Sequence, residues 1–319
     1  MTPTPQTKFD VSAIVVNWNT KDLLNETLAS LTDHGSKTRT MEIIVVDNGS
    51  TDGSADVVRE QWPNVRLIVN EENVGFTRAN NQALRVSGGE HVLLINSDAL
   101  LTPGCLDRML DLMDADPRVG AIGPRLVYGD GSWQRWTAGR APSLGAAASH
   151  YLFLDRVLPC PPSRGLYLGR DVLTPFEAEW VCSACMLVRR SAMDEVGLLD
   201  EAMFVYMDDV DLCQRLRDGG WTVWYTPDAQ AIHYGSQSTE RAVTSTSTVA
   251  LRAFNRYFAR RHSSPSVVAL KGVQAVGFGA RALAYWSASA LRGGDRRLRS
   301  KASAQWTYCK VAVEPRIER

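Results

Sequence analysis

Three aspartates stand close together in Tyr206-Met207-Asp208-Asp209-Val210-Asp211, and Gly219-Gly220 supplies a stop for the helix they open. At helical spacing Asp208, Asp211, Arg215 and Asp218 share a polar face, with Asp211 and Arg215 placed for an ion pair. Asp209 falls instead on a stripe with Leu212, Cys213 and Leu216. The helix N-terminus favours a negative charge there, and an inward side chain is positioned rather than solvated. That is what a general base requires, and a capping carboxylate would occupy the same position.

Other polar groups follow apolar runs. In residues 41–54, MEIIVVDNGSTDGS, a buried strand stops at Asp47 and a turn of Asn, Gly, Ser, Thr and Asp follows. Asp47 is either a strand-end cap or a hydrogen-bonding group of a ligand-holding turn. Asn96-Ser97-Asp98 follows HVLLI, and His233 precedes Tyr234-Gly235-Ser236. Asp98 and His233, joined by phosphate oxygens, suit a divalent cation, although a lone histidine is more often structural. Cys182 and Cys185 form a C-x-x-C, but in a strand positions i and i+3 face opposite sides, which argues against a shared metal. The six cysteines read as ordinary reduced thiols.

The elements that must carry these groups alternate. Strands are expected over residues 11–16, 43–46, 65–69 and 91–95, each followed by a helix. Thr20 is expected to cap the first helix, and Ser54 to begin the second. The third runs through Asn80, Asn81 and Leu84, and Thr102-Pro103 opens the fourth. Such alternation predicts an α/β fold with a mostly parallel, Rossmann-like sheet, whose ligands bind beyond the carboxyl ends of the strands. The loops NWN, DNGSTDG and NSD lie there. Neither the G-x-G-x-x-G fingerprint nor a Walker loop is present. Residues 129–178, rich in Gly, Pro, Ser and aromatics, read as an irregular insertion on the acceptor side, or as a surface excursion. Regular structure returns at residues 180–188 and 221–225, with Ala231-Ile232-His233 beyond Pro227.

The stretches VSAIVVNWN, EIIVVDNGSTDGS, NVGFTRANNQA, LLINSDALLTPG and FVYMDDVDLCQRLRDGGW, in this order over roughly residues 10–240, resemble the inverting glycosyltransferases of family 2. The resemblance is to the rhamnosyltransferase-like branch, which builds bacterial cell-surface polysaccharides. It implies a GT-A fold, a dTDP- or UDP-sugar donor, and Mg²⁺ or Mn²⁺ bridging the diphosphate. Carried over, Asn17, Asn19, Asp47, Asn73, Arg78, Asn80 and Asn96 line the nucleotide and sugar, with Asp47 recognising the base. Asp98 and His233 become metal ligands and Asp209 the catalytic base, while Asp208 and Trp180 lie on the acceptor side. Two departures stand out: Asn96 replaces the first aspartate of the metal motif, and Ser183 replaces a common glycine. A nucleotide-sugar-binding protein without transferase activity and a nucleotidyltransferase are the alternatives. The intact Asp209 opposes the first, and the lack of a triphosphate loop near Val16 opposes the second.

The formal charge of zero is a cancellation. Residues 241–319 hold 15 Lys+Arg against 3 Asp+Glu, and the first 240 residues hold 20 against 32. The expected division is therefore a catalytic domain over 1–240 and a basic helical extension over 241–319. Within the extension, residues 266–292 are expected to form an interfacial helix at a membrane bearing a lipid-linked or glycan acceptor. Lys271, Gln274, Arg281 and Arg292 would face the headgroups, with Val273, Val276, Ala280, Leu283 and Leu291 opposite. The basic cluster Arg296, Arg297, Arg299 and Lys301 follows. Packing on the catalytic domain or in a homo-oligomer interface is the alternative, since Gly272, Gly277 and Gly279 weaken a free helix. Nucleic acid is not expected as a partner of so acidic a catalytic portion. With no secretory signal and no long uninterrupted apolar run, the expected location is cytoplasmic, peripheral on the inner face of the cell membrane.

Overall fold

The computed structural model describes residues 9–154, 165–168, 171–235 and 246–314. The chain divides into two compact units, Met1–Gly139 with Arg170–Arg241, and Arg140–Gly169 with Ala242–Arg319. The expected insertion is thus split. Its flanks stay with the first unit, whereas residues 140–169 belong with the C-terminal helices.

The first unit is built on nine strands: β1 (Phe9–Asn17), β2 (Met41–Asn48), β3 (Arg66–Asn70), β4 (Gly89–Asn96), β5 (Ala99–Leu101), β6 (Val119–Val127), β8 (Phe176–Ala178), β10 (Cys185–Arg189) and β11 (Thr222–His233). Their order is β3-β2-β1-β4-β10-β6-β11-β5, with β8 also on β11. The first four are parallel, and β10 runs antiparallel to β4 and β6. A small second sheet pairs β7 (Ala138–Gly139) with β9 (Trp180–Val181).

Covered on both faces, the central strands are near-continuous apolar runs, and Val11, Ala13, Ile14, Val15, Leu93 and Leu94 are fully buried. Helices α1 (Lys21–His34), α2 (Ser54–Gln61), α3 (Phe76–Leu84) and α4 (Cys105–Ala115) follow the first strands as expected. Two expected caps differ. The Thr20 hydroxyl makes no cap bond and instead donates to Asn17 Oδ1 at 2.7 Å. Helix α4 starts after Gly104 in the left-handed region, while Thr102 Oγ1 donates to the Gln230 carbonyl.

Register brings the polar strand ends together. Asn17 is opposite Asp47, Val16 is opposite Asn96, and His233 is opposite Ala99. Strand β11 is one bulged strand rather than two, its register shifting between Thr226 and Gln230 around Pro227. Helices α6 (Arg190–Val196) and α7 (Asp208–Asp218) complete this unit.

The second unit contains α5 (Leu144–Tyr151), α8 (Thr246–Arg261), α9 (Ser264–Leu291) and α10 (Arg296–Ala312). Gly277 is needed where α9 meets α5, because a Cβ there would lie 2.3 Å from the Tyr151 carbonyl oxygen. Three members of the stripe expected to face headgroups turn inward instead, and Arg292 stays exposed. Gln274 Nε2 donates to Asn255 Oδ1, Lys271 Nζ to the Glu314 carbonyl, and Arg281 Nη2 to the Tyr151 carbonyl. Against the sequence expectation, α9 is also long and apolar enough to cross a membrane, by length and composition alone.

Candidate active site

The loop after β1 and the turn after β2 hold each other in place. Asn17 Nδ2 donates to Asp47 Oδ2 at 3.0 Å, and the Ser50 N–H donates to Asp47 Oδ1 at 3.0 Å. Ser50 Oγ accepts from Asn19 N, and Asn19 Oδ1 accepts from Thr51 N. Asp47 is only 1% exposed, so its cap role is realised and a ligand can reach it only through the remaining lone pairs of its oxygens. Asn19 itself adopts a φ of 55°, a left-handed conformation that asparagine tolerates.

Asn48, which the sequence reading passed over, organises the next loop. Its amide donates to Asn73 Oδ1 and accepts from Asn70 Nδ2 and the Val74 N–H. Gly75 has a φ of 93°, and a Cβ on it would meet the Phe204 ring at 2.7 Å. Asn80 is buried and donates within its own helix to the Phe76 carbonyl. Its neighbour Asn81 reaches across to both backbone groups of Leu199, at 2.9 and 3.1 Å. Thr77 Oγ1 and Phe76 N bond the carbonyls of Met203 and Phe204. Helix α3 thereby fastens the segment that leads into the aspartate cluster. Arg78 is exposed, 3.6 Å from Glu201.

A second group gathers at the end of β4. His233 Nε2 lies 3.4 Å from Asp98 Oδ1 and 3.4 Å from Asn96 Nδ2. Gln134, also absent from the sequence reading, fixes the imidazole. Its Nε2 donates to the His233 carbonyl, which can only accept, so its Oε1 must face His233 Nδ1 at 3.0 Å. Nδ1 therefore carries the proton, and in the neutral ring the Nε2 lone pair faces Asp98. Asn96 Oδ1 is buried with no hydrogen-bond partner, a costly state that an incoming cation or donor group would relieve. Asp98, Asn96 and His233 thus fit a hard divalent ion. Among the described residues no group of three His, Cys, Asp or Glu side chains is arranged for a metal, so phosphate oxygens would complete the shell.

The aspartates are held by the turn between β9 and β10. Ser183 Oγ donates to Asp208 Oδ2 at 3.1 Å, and Ser183 N donates to Asp209 Oδ2 at 3.4 Å. The same turn reaches the cation group, since Asn96 N donates to the Ala184 carbonyl at 3.0 Å. Asp208 is buried and Asp209 half-buried, so Asp209 is the more accessible of the pair. The polar face expected for Asp208 and Asp211 is in fact inside, with Asp211 paired to Arg215 at 2.8 Å.

Burial, then the charge of Asp209, pushes the Asp208 carboxyl up to about 7. Burial lifts Asp209 to about 6, against hydrogen bonds from the Val210 and Ser183 backbone that oppose the shift. The Cys182 thiol also bonds Asp209, whereas Cys185 bonds Cys105, so the two cysteines serve different neighbours. Tyr206 and Met207, with φ of 67° and 66°, form a left-handed pair just before the cluster. Such strain, costing roughly 1–2 kcal/mol per residue, is tolerated where a site over-determines its backbone. Trp180, in β9, is buried and offers little surface.

Comparison with known proteins converges on one class. The family model for glycosyl transferase family 2 matches residues 12–197. The chain is 34% identical over 238 residues to an N-acetylglucosaminyl-diphospho-decaprenol L-rhamnosyltransferase of Mycobacterium tuberculosis, covering 70% of this chain and 76% of that one. It is 31% identical to the O-antigen biosynthesis protein RfbC of Myxococcus xanthus, over 72% of this chain and 17% of that one. Among solved structures, a Pyrobaculum calidifontis mannosyltransferase in complex with GDP-Man and Mn²⁺ superposes with TM-score 0.59 at 20% identity, covering 97% of this chain and 87% of that one. That likeness is one of fold, and the fold is GT-A. With the family model matching residues 12–197 and a relative 34% identical over 238 residues, the chain belongs to glycosyltransferase family 2.

Proposed function

We propose that this glycosyltransferase moves rhamnose, with inversion, from dTDP-rhamnose to a hydroxyl of a polyprenyl-diphosphate-linked or other cell-surface glycan acceptor. The observation that carries the reading is the Ser183 turn. It contacts the Asp208–Asp209 pair on one side, and its neighbour Ala184 bonds Asn96 beside Asp98 and His233 on the other. A proton acceptor and a diphosphate-facing group are thereby set on one rigid connection. The rhamnosyltransferase relative supports the choice of sugar and of a lipid-linked acceptor.

Mg²⁺ or Mn²⁺ held by Asp98, His233 and Asn96 would supply positive charge against the departing nucleoside diphosphate. Asn17, Asn19, Asp47 and Asn73 shape the loops that border the nucleotide, while Arg78 and Asn80 lie on the helix beside them. Asp209 takes the proton of the acceptor hydroxyl as it attacks the anomeric carbon from the face opposite the leaving group. A single displacement needs no covalent enzyme intermediate, hence one base. Asp208 works through its neighbour: kept protonated by burial and hydrogen-bonded to Ser183, it leaves the pair's negative charge to the more accessible Asp209. The acceptor would be met at the inner face of the cell membrane.

The test is transfer from a panel of dTDP- and UDP-sugars to a short-chain N-acetylhexosaminyl-diphosphate lipid, with the product anomer read by NMR. Inverted rhamnoside from the dTDP donor is expected. Turnover confined to a UDP-sugar would overturn the assignment of the sugar.

A further inference from the structure

The outward side of α9 carries no charge along its length. Val268, Val276, Leu283 and Leu291 are 69%, 63%, 62% and 89% exposed. The other exposed residues from Ser264 to Leu291 are Ala, Gly, Ser, Pro or Trp. The four apolar residues recur every second turn, a single stripe of about 35 Å. Both cations of the helix are drawn inward, Lys271 to the Glu314 carbonyl and Arg281 to the Tyr151 carbonyl. A helix that only packs on its own fold shows the opposite pattern, polar outside and apolar within.

Basic side chains frame the stripe. Exposed Arg260 and Arg261 precede it, and exposed Arg292, Arg296, Arg297 and Arg299 follow it. The two acids in the described part of this unit beyond residue 245 are engaged. Asp295 caps α10 by accepting from Arg297 N and Leu298 N, and Glu314 pairs with Arg252 at 2.8 Å. Trp286 and Trp306, with ring centroids 5.8 Å apart, are both exposed. Paired tryptophans beside an apolar stripe suit the boundary between headgroups and acyl chains.

We propose that this face lies in the plane of an anionic bilayer, with the apolar stripe in the acyl boundary and the arginines at the level of the phosphates. The inference deepens the reading of a lipid-linked acceptor, and for its purpose rests on it. A second copy of the chain is the poorer occupant. Two-fold pairing along the stripe sets basic ends against basic ends in either direction, and like charges face each other at both. Crossing the bilayer fares no better, because Arg281 lies within the helix and the α5 and α10 packed against it would be carried into hydrocarbon with it.

Deleting α9 would remove Phe278 and bare Tyr151, which packs on it and on Phe254, so point variants are the cleaner probe. The full chain is floated with vesicles of phosphatidylglycerol and phosphatidylcholine, and with phosphatidylcholine alone. Flotation is expected with the anionic vesicles and to weaken as salt rises, roughly fivefold for each basic side chain neutralised near the surface. The double variant Val276→Glu with Leu283→Glu, whose positions are exposed and keep the fold, should lower bound protein about tenfold or more. Its turnover on a water-soluble acceptor should equal the parent's. Absence of flotation, flotation indifferent to the double variant, or a dimer that the same variant dissolves would each overturn the proposal. Turnover that persists without flotation removes this inference alone; flotation without any transfer removes the proposed reaction and leaves the membrane face standing.

Discussion

Gln134 and Ser183 show how much of the site's chemistry is set by residues that perform none of it. Gln134 holds the His233 proton on Nδ1, so Gln134→Leu should leave the ring free to turn and raise the metal concentration for half-maximal activity by roughly 10–100-fold. A Mn²⁺ titration of initial rates measures it. Burial keeps the carboxylate pair partly protonated near neutrality, against the hydrogen bonds that Ser183 donates to it. The base acts only when ionised, so kcat is expected to rise as pH rises through about 6, the value to which Asp209 is lifted. Asp208→Asn replaces one neutral group by another while Asp209 ionises, so the acid limb should stay near pH 6, read from a kcat profile. Asp47→Ala should weaken free dTDP or UDP by about 1–3 kcal/mol in calorimetry, with a lower melting temperature because Asn17 and Ser50 lose their acceptor. Much at this scale was legible. Asp209, Asp98 and His233 stand out as charged or ionisable groups at the ends of apolar runs. Gln134 was not, for a lone glutamine in an irregular stretch gives no signal until β11 folds alongside it.

The four leading strands could be read because each is a short β-branched run followed by helical spacing. Strand β6 escaped that reading. Its sequence VGAIGPRLV contains two glycines and a proline, residues that ordinarily mark turns. The glycines are required by close approach: a Cβ at Gly123 would lie 2.6 Å from the Val181 side chain, and one at Gly120 would lie 2.8 Å from Trp221. Strand β11 hid its length behind Pro227, which sits at a bulge. Helix α3 illustrates an element that fastens a distant segment, through Asn81, Thr77 and the Phe76 backbone. Asn81→Ala would cut both bonds to Leu199 and cost about 1–3 kcal/mol of stability, measured by denaturant melting. The same variant should raise KM, because the segment it releases runs into Tyr206 and Met207.

For the molecule as a whole, charge patterning led to the expectation of a basic C-terminal portion beside an acidic N-terminal one. It did not anticipate that residues 140–169 would join that portion, because the bond partners of Tyr151 lie more than a hundred residues downstream. Nor did it anticipate that the stripe of Lys271, Gln274 and Arg281 would point inward, since a helical wheel separates two faces without saying which one is buried. The proposed chemistry lies at the ends of β1, β2 and β4 and at the start of α7, and one carboxylate of that helix start, Asp209, carries most of it. Its most direct test is single-turnover transfer by Asp209→Asn beside donor affinity measured on the same preparation. Transfer should fall by about 10² or more, with donor affinity unchanged. A variant that still transfers sugar at close to the parent rate would contradict the assignment of Asp209 as the base.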